Sequence, residues 1–83
     1  MDKVLIHVYV PSIQEWFEAL VPSFLSTREV VELLRELVSD VTEQKYISSQ
    51  EEMLCSIRLE KVLKTEDTLN DYGIINGDQF LLM

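Results

Sequence analysis

The run Ser26-Thr27-Arg28-Glu29 and the segment that follows it to Val41 leave this chain little choice of fold. The spacing is that of a capping box. The Ser26 hydroxyl accepts from the backbone N–H of Glu29, and the Glu29 carboxylate accepts from that of Ser26. Leu25 and Val30 stand where a hydrophobic staple places them. At about 100° per residue, Val30, Val31, Leu33, Leu34, Leu37, Val38 and Val41 fall on one side. Arg28, Glu29, Glu32, Arg35, Glu36, Ser39 and Asp40 fall on the other. The pattern predicts an amphipathic helix of about four turns, with one wet face and one face that must pack on something else. In a chain of 83 residues that partner is a small sheet, because the remaining apolar segments are short and extended in pattern.

Val4-Leu5-Ile6-His7-Val8-Tyr9-Val10 is rich in β-branched residues and stops at Pro11. Val4, Ile6, Val8 and Val10 share a purely aliphatic face and are assigned to the core. A second strand runs from Gln14 to Val21 before Pro22, with Phe17, Ala19 and Val21 inward and Trp16 and Leu20 outward. The short connection predicts an antiparallel hairpin. Thr42 to Gln50 is polar apart from Tyr46 and Ile47, and reads as a loop. Met53 to Leu59 reads as a third strand, with Met53, Cys55 and Ile57 inward and Leu54, Ser56 and Arg58 outward. Val62 and Leu63 give a short fourth. Thr68 to Tyr72 is a brief helical turn, Asn76-Gly77-Asp78 a tight turn, and Gln79 to Met83 the closing strand with Phe80 and Leu82 on one face. The fold class is α+β: one domain over 1–83, a mixed sheet of four to five strands packed on one long amphipathic helix, in the β-grasp order β-β-α-β-β-β.

Fifteen acidic residues against seven basic give a formal charge of -8. That excludes nucleic acid and anionic membrane surfaces as partners, since both need a basic face. Cys55 is the single cysteine, which fits a reducing, cytoplasmic setting. The apolar start from Val4 to Val10 is too short and too β-branched for a signal peptide, and no segment reaches the roughly 20 apolar residues of a membrane helix.

The closing run Thr68-Leu69-Asn70-Asp71-Tyr72-Gly73-Ile74 resembles the T-L-x-D-Y-x-I tail of ubiquitin-fold proteins. By that resemblance Leu69 and Ile74 plug the core, the Tyr72 hydroxyl bonds backbone nearby, and Gly73 takes the left-handed turn. Leu69, Asp71, Tyr72, Ile74, Gly77 and Asp78 also match the L-x-D-Y-x-I-x-x-G-D run of the YukD/EsaB-like proteins of Gram-positive bacteria. The resemblance implies a small cytosolic accessory component of type VII (ESX-like) secretion that binds or regulates the machinery and catalyses nothing. The loop from Thr42 to Glu52 is longer than in shorter members of that group.

Ubiquitin-type modifiers and sulfur carriers form the competing class. They need a slim Gly-Gly tail whose carboxylate is adenylated and then attacked. The chain as read has no glycine after Gly77, and Met83 belongs to the closing strand, so that reading is disfavoured. A fragment of a larger membrane component is a third reading, against which stand the starting methionine and the compact ends. His7 is the only histidine and has no company for a metal site. Cys55, placed inward, is a small hydrophobe rather than a nucleophile. Glu51-Glu52 and Glu66-Asp67 read as solvated loop charge, without the spaced oxygens of a calcium site. No catalytic, metal or cofactor residue is assigned. What remains is binding. Leu5, Leu54, Leu81 and Met83 are expected to point away from the helix and form an apolar patch, bordered by His7 and Tyr9, with Trp16 and Leu20 as a second outward pair. A protein partner, perhaps membrane-bound secretion machinery, is the first occupant of this patch; a homodimer contact is the second.

Overall fold

The computed structural model describes residues 3–43 and 45–83; Gln44, inside the segment read as a loop, lies outside the described residues. Among the described residues, one sheet in the order β2-β1-β5-β3-β4 carries a single α-helix on one face. Strand β1 spans Lys3–Val10 and β2 spans Glu15–Pro22. Helix α1 covers Thr27–Val41, β3 Leu54–Ser56, β4 Lys61–Val62 and β5 Asp78–Leu82. β1 and β2 form the expected antiparallel hairpin, while β5 returns to lie parallel to β1 and antiparallel to β3. This mixed sheet with one helix is the β-grasp architecture.

The local chemistry behind each element is visible. Ser26 caps α1, its Oγ accepting from the Glu29 N–H at 3.2 Å while a Glu29 carboxylate oxygen accepts from the Ser26 N–H at 3.0 Å. Val30, Val31, Leu34 and Val38 are buried, as are Val4, Ile6, Val8 and Val10 of β1 and Phe80 and Leu82 of β5. Phe17 and Val21 are buried and Ala19 packs against the core, while Trp16 and Leu20 are exposed, as the hairpin pattern requires. Leu69 is fully buried and Ile74 packs on the core. Gly73 ends a single 3-10 turn, Asn70–Tyr72, at φ +64°, in the left-handed region that favours glycine. The Tyr72 hydroxyl accepts from the Lys64 N–H at 2.9 Å and donates to Asp67 at 2.9 Å.

Three expectations need correction. The third strand is only Leu54–Ser56, and its faces are reversed: Leu54 and Ser56 are buried, Met53 and Ile57 are exposed, and Cys55 is half-buried. The register with β5 sets this, since Leu54 pairs with Leu82 and Ser56 with Phe80, both inward residues. A slip of one residue moves every side chain to the other face. Ser56 is tolerated inside because its hydroxyl accepts from the Leu59 N–H at 3.1 Å in the turn that follows. Second, Leu33 and Val41 lie on the apolar stripe of α1 yet are exposed. Leu33 reaches past the edge of the sheet toward β2, and Val41 sits in the last helical turn. Third, Glu52 is not a solvated charge: its side chain is 1% exposed.

Glu52 ties the long loop to the helix. Its Oε1 accepts from Arg35 Nε at 3.1 Å and Nη2 at 3.0 Å. Its Oε2 accepts from Ser48 Oγ at 2.5 Å and from the Tyr46 hydroxyl. Tyr46 is itself buried, so the loop contributes an aromatic wall to the core rather than only a connection.

Candidate protein-binding face

The face of the sheet opposite α1 is built by alternation. Because Val4, Ile6, Val8 and Val10 point to the helix, Leu5, His7 and Tyr9 point away. The strand registers then align residues across the sheet. Trp16 pairs with Tyr9, Tyr9 with Leu81, Leu81 with Cys55, and Cys55 with Val62. One apolar row therefore crosses all five strands. Cross-strand partners on one face sit within about 5 Å of each other, close enough to pack. The Tyr9 and Trp16 rings are 5.1 Å apart, tilted at 48°, which suits an edge-on aromatic contact. At the other end of the row, Cys55, Leu81, Val62 and Ile57 line a shallow hollow of about 390 Å³.

A polar belt lies beside this row. His7 pairs with Glu18 across β1 and β2 and with Gln79 across β1 and β5, and its Nδ1 is 3.5 Å from a Glu18 carboxylate oxygen. Beyond the belt Leu5 pairs with Leu20. The seven residues named from the sequence therefore separate. Trp16 and Leu81 lie on the row, and Met83, 51% exposed, follows two residues after Leu81. His7 is in the belt. Leu5 and Leu20 form a separate pair on its far side. Leu54 is removed from the face altogether, being a core residue at 1% exposure.

Cys55 and Val62 are the residues that sequence reasoning missed on the row, and Tyr9 is more central than a border. The misplaced phase of β3 hid the first two. A usable signal existed: Leu54 and Ser56 match the period of Phe80 and Leu82 only if β3 and β5 are paired antiparallel. Cys55 offers no nucleophile, because burial pushes its thiol pKa up and keeps it protonated.

At the rim, Arg58 grips Asp78 through Nε at 2.7 Å and Nη2 at 2.8 Å, and also donates to the Gly73 carbonyl at 3.2 Å. Hydrogen bonding from Arg58, against the opposing effect of burial, holds the Asp78 carboxyl below its ordinary range. Asp78 also accepts from the Ile75 N–H at 3.0 Å, which fixes the turn that launches β5 into the centre of the sheet. Lys61 Nζ lies 5.6 Å from the centre of the Tyr72 ring. No helix among the described residues is long and apolar enough to cross a membrane.

No protein-family model matches the chain, and no curated protein matches it in sequence. Solved structures do match. The ubiquitin-like domain of EccD5 from Mycobacterium xenopi superposes with a TM-score of 0.80 at 11% identity, over 100% of this chain and 94% of that one. A chain of the ESX-5 inner membrane complex matches with a TM-score of 0.80 at 12% identity, over 100% of this chain and 21% of that one. A ubiquitin-like domain from Arabidopsis thaliana gives 0.75 at 17% identity, over 100% and 78%. At these identities the likeness is one of fold, and the fold is the ubiquitin-like β-grasp.

Proposed function

We propose that this chain is a non-catalytic, ubiquitin-like protein-interaction module acting in the cytoplasm on the membrane machinery of a type VII (ESX-like) secretion system, in the manner of the YukD/EsaB-like proteins. One observation carries the binding half of this reading: the Trp16–Tyr9–Leu81–Cys55–Val62 row, an apolar band on the solvent side of a small sheet. Trp16 and Val62, at its two ends, are 51% and 48% exposed. A contiguous band of this kind marks a contact surface more often than scattered apolar residues do. The secretion half is supported by the match in fold to EccD5 and to a chain of the ESX-5 inner membrane complex, together with the closing Leu69-to-Asp78 run.

The test uses the tagged protein in a Gram-positive host carrying such a system, with detergent-solubilised membranes. Components of the secretion complex are expected to co-purify with the wild type. The double variant Trp16→Ala, Val62→Asp should lose them while keeping the wild-type melting temperature. Retention of binding by the variant removes the row from the interface. Recovery of no secretion component by the wild type removes the reading itself.

A further inference from the structure

The sheet has a second surface with different chemistry. β2 is an edge strand of eight residues, Glu15–Pro22, and its outer side has no neighbour among the described residues. Edge strands are normally guarded by inward-pointing charges, bulges or brevity. Here the helix-facing side chains of β2 are Phe17, Ala19 and Val21, without a charge among them. Between the two bulkier residues, the methyl group of Ala19 leaves a hollow of about 300 Å³, closed on the helix side by Leu33, Leu34 and Leu37. Leu33 is 45% exposed there, with a side chain that nothing in the sheet covers. An unsatisfied row of backbone donors and acceptors thus runs beside an apolar trough.

The charge around this trough is one-sided. Glu18 lies along it, Glu15 opens the strand, and Glu29, Glu36 and Asp40 are the helical neighbours of Leu33 and Leu37 at three- and four-residue spacing. The helix arginines are on the opposite flank, where Arg35 is engaged by Glu52. No residue lining the trough is basic. The nearest by register is Lys3, across from Pro22 at the end of the strand.

We infer that β2 and the β2–α1 trough form a docking site for an extended, basic segment of another protein, which adds a sixth strand to the sheet. Backbone hydrogen bonds to the β2 edge supply register and affinity, and alternate apolar side chains of the segment drop into the trough over Ala19. Flanking Lys or Arg residues meet the acidic rim. A second copy of this chain does not fit: two β2 edges meeting antiparallel would bring their glutamates together. This site lies on the helix side of β2 and is independent of the outer-face row.

The experiment selects binders from displayed random twelve-residue peptides and maps the best of them on the isotope-labelled protein by NMR. Expected are peptides with alternating β-branched or aromatic residues flanked by Lys or Arg. They should shift the amides of Glu15–Pro22 and the methyls of Leu33 and Leu37. Ala19→Leu, which fills the hollow, and Leu33→Lys, on an exposed side chain, should each weaken binding at least tenfold with the folded spectrum retained. Selection of no peptide, selection of acidic peptides, or shifts confined to Tyr9, Leu81 and Val62 overturns the inference. So does equal binding by both variants, or a concentration-dependent dimer that forms through β2.

Discussion

Glu51 and Glu52 are indistinguishable in the sequence, and only one of them is a structural residue. The Glu52 carboxylate is buried, which by itself would raise its pKa. Hydrogen bonds from Ser48, Tyr46, its own backbone N–H and Arg35 outweigh burial and hold it at about 2. Tyr46 is pushed the opposite way, above the ordinary phenol range, first by burial and then by its bond to the same carboxylate. Because the folded pKa of Glu52 lies below the unfolded value of 4.5, its stabilising contribution is complete above that value and is lost as pH falls toward 2. Glu52→Gln should cost about 2 kcal/mol at pH 7. Urea denaturation at a series of pH values checks this: the gap between wild type and variant should close between pH 4.5 and pH 2. A gap that is constant with pH would show that packing, and not charge, is what the loop needs. Nothing in the sequence marks Glu52, since its partners at Arg35, Tyr46 and Ser48 are brought together only by the path of the loop across the helix.

Elements were legible to the degree that their signals were local. α1 declares itself through Ser26, Glu29 and a periodic stripe, all within sixteen residues of chain. β1 and β2 declare themselves by alternation and by the prolines that end them. β3 has no such support. Its three residues could alternate either way, and the choice is made by β5, more than twenty residues downstream. The consequence is measurable. Leu54→Ala should cost about 2–5 kcal/mol in chemical denaturation, as expected for a buried leucine. Ile57→Ala, at a residue the sequence alone would place inside, should change stability by about 0.5 kcal/mol or less. The reverse order would restore the strand phase read from the sequence and return Leu54 to the outer face.

At the scale of the molecule, the connectivity was readable from the tail, because Leu69, Tyr72, Gly73 and Ile74 each do a job specific to the crossover into β5. Leu69 enters the core, Gly73 permits the left-handed turn, and Tyr72 binds Lys64 and Asp67. The surfaces were less readable, since they depend on register summed over five strands. The net charge of -8 acts on the whole body. Like charges repel more in the compact state than in the expanded one, and salt screens them. Moderate NaCl should therefore raise the melting temperature; relief of about 1 kcal/mol corresponds to a shift of about 4–8 °C in a domain of this size. A melting temperature that falls with added salt would mean that ion pairs such as Arg35–Glu52 and Arg58–Asp78 outweigh the general repulsion.

β1 and β5 lie side by side and parallel, although one is the earliest strand of the sheet and the other the latest. Tension applied at Lys3 and Leu82 drags the two along their shared length in opposite senses, so the backbone bonds between Ile6–Tyr9 and Asp78–Leu81 bear the load together. Tension applied at Lys3 and Pro22, which face each other at one end of the hairpin, opens the ladder rung by rung. The same small sheet is thus stiff when stretched along its backbone path and weak when peeled from its rim.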